Sequence, residues 1–266
     1  MTGFPLIIKP DETDVEAAEI LVDGTVDGRP YRFLLDTGAA RTHLRYDGYT
    51  AVFPRVGADT SSGVFASGSD DLITAPSVTL GPISRSDFTV VRLAEQGPER
   101  SSLIGMDLLK DTCCHFLFEE ARVVVDPDSL DAVPFQDLFL DQRFHPYVDV
   151  LFGETTARTV WDSGGGITVA DTNFIERLPA FFQPIGDTTG TDSKGAEQET
   201  RMYRMAATII GGQLFPPHTV AGVDLARVNA TLEVPMDLIL GYSTLSKANW
   251  LFDFPRRRWA ITKLLV

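Results

Sequence analysis

Asp36-Thr37-Gly38 and Asp162-Ser163-Gly164 each end a hydrophobic run in a separate half of the chain. Lined up on the aspartates, Tyr31-Arg32-Phe33-Leu34-Leu35 faces Ala157-Arg158-Thr159-Val160-Trp161. A single tripeptide of this kind is an ordinary turn, because Asp, Ser and Gly are common turn residues. Two in matched contexts are far more constraining. They predict two similar half-structures, each delivering one carboxylate from the end of a strand.

The surroundings of each tripeptide repeat in the same order. Glu19 to Leu35 reads as two β runs around the turn Asp27-Gly28, the second run delivering Asp36. Tyr147 to Trp161 reads likewise around Gly153-Glu154 and delivers Asp162. Downstream, Leu103-Ile104-Gly105 is echoed by Ile239-Leu240-Gly241, each followed by a short helix-compatible stretch, Met106 to Lys110 and Tyr242 to Lys247. Two further hairpin-like runs follow, Phe116 to Val125 and Trp250 to Ile261. The interval from aspartate to glycine is longer in the second half, so the halves differ by loop insertion. Two copies are too few for a solenoid. The Pro- and Asp-punctuated stretch 126–134 is the expected linker, giving one unit over 1–130 and another over 131–266.

Composition limits the function classes. The chain of 266 residues can bury a substantial core, and its formal charge of −14 opposes a polyanionic partner such as nucleic acid or an anionic membrane. The two cysteines, Cys113 and Cys114, are adjacent and read as core thiols without an ordinary disulfide. No signal peptide or membrane-spanning run is apparent, which predicts a cytoplasmic protein. His43, His115, His145 and His218 are scattered without metal-site spacing, so neither a metal nor another cofactor is expected. Gly164-Gly165-Gly166 lacks the lysine of a phosphate loop, Arg256-Arg257-Arg258 reads as an exposed turn, and Asp70-Asp71 and Glu119-Glu120 read as solvated.

Two neighbouring carboxyls sharing one proton can hydrolyse a peptide bond without metal or covalent intermediate, one acting as base toward water and the other as acid toward the carbonyl. Aspartic proteases are the standard example of such a dyad. Asp36-Thr37-Gly38-Ala39 with Leu103-Ile104-Gly105, and Asp162-Ser163-Gly164 with Ile239-Leu240-Gly241, resemble the signatures of the pepsin and retropepsin superfamily. The resemblance spans roughly residues 19 to 264, and the short copies look closer to the retropepsin type fused into one chain. It implies an all-β fold of two similar acid-protease lobes related by internal duplication, with the active site at the lobe interface. Asp36 and Asp162 would be catalytic, and Thr37, Gly38, Ser163 and Gly164 would support the dyad loops. A peptide or protein would be the substrate, and a monomer would be complete.

Each half also carries a candidate flap, residues 63–68 before 73–81 and residues 190–195 before 203–210; Phe65, Ser67 and Gly68 are the candidate substrate contacts. Trp161 is a large residue immediately before its aspartate, expected either to narrow the cleft or to pack, and Gly165 stands where the family usually has Ser, Thr or Ala. These departures keep open an alternative, a protease-like module that binds peptide or protein without cleaving it. Neither Ala39 nor Gly165 offers the hydroxyl that the family uses to favour an ionised carboxylate in acid, which predicts an optimum in weakly acidic to neutral conditions. Residues 1–18 are open to reading as an interlobe strand, a tail or a regulatory segment.

Overall fold

The first hairpin forms because its apolar residues recur at every second position. In strand Ala18–Val26, Ala18, Ile20, Val22 and Val26 are buried while Glu19 and Asp23 face solvent. The turn to Arg29–Leu35 places Asp27 and Gly28 at φ 48° and 76°, the left-handed backbone of a tight hairpin turn. The second hairpin, Pro146–Phe152 with Thr155–Trp161, turns through Gly153 at φ 59°. The computed structural model describes residues 2–62, 67–95, 100–127, 130, 133–191 and 196–265.

Strand makes up 55% of the described residues and helix 11%, so the all-β class read from the sequence holds. Among the described residues the strands form three sheets. One of eight strands is drawn from residues 7–104 and one of ten from residues 139–240. In each, the strand that ends at an aspartate runs parallel to the aliphatic pair preceding the downstream glycine: Leu34 beside Leu103 and Leu35 beside Ile104, then Val160 beside Ile239 and Trp161 beside Leu240. The strand after each aspartate loop then pairs antiparallel to that same aliphatic segment, His43 with Leu103 and Val169 with Ile239. The helix-compatible stretches form short helices at Met106–Leu109 and Tyr242–Leu245; Thr172–Arg177 and Ala226–Asn229 add two more.

The third sheet joins the two halves. Its six strands run in the order Gly3–Pro5, Arg122–Val125, Cys113–Leu117, Ala248–Asp253, Arg258–Leu264, Gln136–Asp137. The seam is the antiparallel pairing of Cys113–Leu117 with Ala248–Asp253, in which Phe116 opposes Trp250. Part of segment 1–18 is therefore a sheet strand. The stretch 126–134 lies partly outside the described residues. Every residue of Ala248–Asp253 is buried, and the buried Asp253 carboxylate is neutralised by Arg256 and Arg258. The arginine run thus forms the expected turn and also serves a buried charge.

Aromatic packing closes the space between the sheets. Phe116, Trp161, Trp250 and Phe252 meet with ring centroids 4.7 Å (Phe116 to Trp161), 4.7 Å (Trp161 to Phe252) and 5.9 Å (Trp161 to Trp250) apart. Cys113 and Cys114 lie beside this core, both thiols pushed up to about 12, chiefly by burial, so they are inert core residues. Among the described residues no helix is long and apolar enough to cross a membrane. Phe116→Ala, which removes a ring packed from both halves, is expected to cost about 3–5 kcal/mol. Urea unfolding is expected to show this as a lower midpoint.

Candidate active site

Both aspartate loops are held by the same backbone bonds. The Asp36 amide donates to Ile104 O at 2.9 Å, the Ala39 amide to Asp36 O at 3.3 Å, and the Met106 amide to Ala39 O at 2.8 Å. In the second half the Asp162 amide donates to Leu240 O at 3.0 Å, the Gly165 amide to Asp162 O at 3.3 Å, and the Tyr242 amide to Gly165 O at 2.8 Å. The downstream glycines are explained by these contacts. A Cβ at Gly105 would lie 2.4 Å from the Arg41 carbonyl, and one at Gly241 2.2 Å from Ile167 O, so any side chain would push the loop away.

The loops grip each other across the interface. Thr37 Oγ1 donates to Trp161 O at 2.8 Å, and Ser163 Oγ donates to Leu35 O at 2.7 Å. Each hydroxyl also accepts from the opposite loop, Thr37 Oγ1 from the Ser163 amide at 3.0 Å and Ser163 Oγ from the Thr37 amide at 3.1 Å. All four bonds are buried, where breaking one would leave an unsatisfied polar group.

This grip brings the two carboxyls together, each over the other loop's glycine. A Cβ at Gly38 would fall 2.6 Å from Asp162 Cγ, and one at Gly164 2.5 Å from Asp36 Cγ. The Gly38 and Gly164 amides both donate to Asp162 Oδ1, at 3.1 and 2.8 Å. Burial raises the Asp36 pKa well above the carboxylate range, the Asp162 charge and the hydrogen bond to Asp162 push it the same way, and the Ala39 and Gly38 amides oppose the rise. Asp162 is also raised by burial, but the Gly164 amide, the hydrogen bond from Asp36, the Gly38 amide and His145 oppose the rise. Both carboxyls are thus raised above the ordinary range, so the pair keeps a shared proton more readily than either aspartate alone.

The two departures from the family pattern have structural reasons. Trp161 is fully buried and packs into the aromatic core rather than narrowing a cleft, with its indole N–H lacking a partner among the described residues. Gly165 faces the Gly241 Cα, which an added Cβ would approach to 3.3 Å. A small residue is the easiest fit there.

The first candidate flap is the hairpin of Arg55–Ser62 with Ser67–Leu80, whose described pairing runs to Ser62 opposite Ser67 and Ser61 opposite Gly68. Phe65 lies outside the described residues. Asp59 of this hairpin pairs with Arg41, just beyond the Asp36 loop, at 3.4 Å. Asp70 and Asp71 are not simply solvated as expected. Asp70 is buried against the Arg100 guanidinium, and Asp71 bridges Arg55 and Arg92, because the hairpin base folds onto the strand Ile83–Arg92. Glu119 and Glu120 are exposed, paired with Lys263 and Arg122. The second hairpin is Phe182–Thr191 with Glu197–Met205. A hollow of about 300 Å³ lined by Tyr46, Arg55, Asp70, Asp71 and Arg92 sits at the first hairpin's base and includes neither Asp36 nor Asp162.

Several buried polar groups behind the loops escape a motif search. Thr42 donates its amide and hydroxyl to Asp107 Oδ1 at 2.9 and 2.8 Å, and the Gly105 amide donates to the Thr42 hydroxyl at 3.2 Å. In the second half, Thr168 takes the place of Thr42: its amide donates to Ser243 Oγ at 3.0 Å, and its hydroxyl accepts from the Gly241 amide at 3.1 Å. That network extends through Thr244 to His218, which burial lowers to about 4 and so keeps neutral. Asp141 and His145 form another buried pair, Nδ1 to Oδ2 at 2.7 Å. The only sequence signal for these groups was polar residues placed beside the motifs. Among the described residues no group of three or more His, Cys, Asp or Glu could hold a metal ion.

Residues 22–111 match the family model described as gag-polyprotein putative aspartyl protease. The chain resembles a retropepsin/pepsin-like aspartic protease. The matched segment contains the Asp36 loop, the first candidate flap and Leu103-Ile104-Gly105, and ends before the Asp162 loop. No curated protein matches the chain. The family match supports a protease-type function.

Asp107 offers a test of the packing behind the first loop. Burial raises it to about 6, and its Oδ2 has no partner among the described residues. The folded protein binds this proton more tightly than the unfolded chain, so stability falls as pH rises from about 4 to 6 and stays reduced above that range. Asp107→Asn keeps an acceptor for Thr42 and carries no charge. It is expected to raise stability by about 1–3 kcal/mol at pH 7 and by little near pH 4, read from thermal melts across that range.

Proposed function

We propose that the protein is an aspartic endopeptidase in which Asp36 and Asp162 together activate water. The observation that carries this reading is the pairing of two carboxyls, Asp36 buried and Asp162 half-buried, each seated over the other loop's glycine. In the proposed reaction one carboxylate of the pair takes a proton from water while its protonated partner donates to the peptide carbonyl oxygen. The water oxygen bonds to the carbonyl carbon, and the C–N bond then breaks as the amine leaves with a proton returned from the pair. Nothing else need be supplied. The recurrence of the loop, its backbone bonds and its parallel neighbour in both halves supports two lobes, 1–130 and 131–266, related by internal duplication, with the site between them. Since one chain contributes both aspartates, a monomer is sufficient, and the net charge of −14 favours a peptide or protein substrate over nucleic acid or an anionic membrane. A cytoplasmic setting fits the two thiols without a disulfide.

The non-cleaving alternative rested on Trp161 and Gly165, and both have packing reasons. Asp36→Asn and Asp162→Asn are each expected to lower cleavage of a mixed peptide pool by at least about 10³-fold, with melting behaviour showing an intact fold. Retained cleavage in either variant would remove the dyad assignment.

The pH dependence follows from the directions of the two shifts. Activity requires one proton on the pair, so it rises as pH climbs through the lower of the coupled values and falls through the upper. Both carboxyls are raised above the ordinary range. The kcat/KM profile is expected to be bell-shaped with its maximum in weakly acidic to neutral solution, and a maximum in strong acid would contradict it.

A further inference from the structure

One carboxylate of the first half is held by donors from the second. Segment 11–17 precedes the strand Ala18–Val26 and folds into a compact turn. Asp11 Oδ1 accepts the Thr13 and Asp14 amides at 2.7 and 3.0 Å, and the Ala17 amide donates to Asp14 O at 3.0 Å. The turn also fixes the backbone of Glu16, whose amide donates to Asp14 Oδ1 at 2.8 Å. The Glu16 side chain crosses to the second half. Its Oε2 accepts the Thr219 amide at 2.9 Å, the Thr219 hydroxyl at 2.6 Å and the Arg204 guanidinium at 2.8 Å, while the Lys247 ammonium stands 3.6 Å from Oε1.

These donors come from the elements that carry the Asp162 loop. Thr219 lies on the strand His218–Val223, which runs parallel to Thr168–Asp171, the strand that leaves the loop. Arg204 sits opposite Thr219 on the hairpin strand Glu197–Met205, and Lys247 follows the helix Tyr242–Leu245, whose first amide holds Gly165 O. Two residues beyond Glu16 the chain touches the loop itself, the Ala18 amide donating to Gly166 O at 3.1 Å. The matching carbonyl of the first loop, Ala40 O, accepts the Asp107 amide of its own half at 3.2 Å instead. The second loop is therefore tied to the other half at a point where the first is not. With only 23% of its side chain exposed and three aligned donors on one oxygen, Glu16 is a stronger tie than a surface ion pair.

We propose that Glu16 is a positioning residue for the second aspartate loop: it pins segment 11–17 to the strand His218–Val223, so that the Ala18–Gly166 contact keeps Asp162 in place against Asp36. The inference rests on the endopeptidase reading for its effect on turnover, and on the hydrogen bonds alone for the pin. The charged and titratable groups around Glu16 are Arg204 and Lys247, Asp14 on its own turn, and His218 next to Thr219; Asp11 and Glu12 are exposed. Burial pushes the Glu16 carboxyl up, but the Thr219 hydroxyl and amide, with the charges of Arg204 and Lys247, bring it below its ordinary value. A carboxyl lowered on folding contributes stability above its unfolded value and loses it as pH falls through the folded one. The pin is thus whole in weakly acidic and neutral solution and weakens in strong acid. There His218, lowered to about 4, takes up a proton and adds a cation beside Arg204 and Lys247 as the carboxylate is lost.

Amide hydrogen exchange reads the pin without turnover. Protection at Ala18 and Thr219, each rate taken relative to an unstructured peptide at the same pH, is compared between the unsubstituted protein and Glu16→Gln. In neutral solution Glu16→Gln is expected to lower protection at both amides by about tenfold, while the seam strand Cys113–Leu117 keeps its protection. The unsubstituted protein is expected to show the same loss at these two amides as pH falls below the ordinary carboxylate range. In a cleavage assay the ratio of kcat/KM, unsubstituted protein to Glu16→Gln, is expected to exceed one in neutral solution, chiefly through kcat, and to approach one in acid. A merely structural defect would lower activity by the same factor at every pH. Should Glu16→Gln not fold, Thr219→Val, which removes the hydroxyl donor alone, carries the same expectation at Ala18. Unchanged Ala18 protection in the folded variant, or an activity ratio that does not vary with pH, overturns the proposal. Cleavage that survives Asp36→Asn would defeat the endopeptidase reading instead, and the exchange measurement would still decide the role of Glu16.

Discussion

Two carboxyls held in contact inside a protein repel, and everything around Asp36 and Asp162 is arranged to resist their separation. The resistance comes from the reciprocal bonds of Thr37 and Ser163, whose hydroxyls each donate to a carbonyl and accept an amide of the opposite loop. Without those bonds, burial and like charge would drive the loops apart or fill the gap with water. Glycine at positions 38 and 164 then lets each carboxyl rest against the facing backbone, where a methyl group would collide with it. The tripeptide is thus one mechanical unit: the first residue carries the charge, the second ties the loops, and the third leaves room.

That unit is symmetric in its backbone and asymmetric in its surroundings. Both glycine amides donate to Asp162 Oδ1, whereas at Asp36 the Ala39 and Gly38 amides oppose the rise. Behind Asp162 lie Trp161 and the aromatic core; behind Asp36 lies Leu35, also fully buried but without the aromatic stack. The downstream networks diverge as well: a carboxylate at Asp107 serves Thr42, whereas hydroxyls and the neutral His218 serve Thr168. Matching geometry therefore need not mean matching proton affinity.

The sequence made legible those features that depend on short-range pattern. Alternating burial located both hairpins, and the recurrence of Asp-Xaa-Gly with aliphatic-aliphatic-Gly located the two loops and their parallel neighbours. Features set by distant contacts were not legible. Asp70 reads as solvated until Arg100, thirty positions on, folds over it. His218 reads as a stray histidine until the linked hydroxyls of Thr168 and Thr244 reach it from behind the second loop. Trp161 left two readings open, because a large residue before an aspartate can line a cleft or fill a core. Only the facing rings of Phe116, Trp250 and Phe252 decide between them.

The six-stranded sheet also bears on the order in which the molecule is assembled. Its seam joins Cys113–Leu117, made early in synthesis, to Ala248–Asp253, made near the end, and such distant pairing is slow to form. The first aspartate loop can complete its own half while the ribosome is still working, but the rings that back Asp162 have no seat until the late strands arrive. A nascent chain consequently lacks the seam and the aromatic stack behind Asp162 until Ala248–Asp253 has been translated.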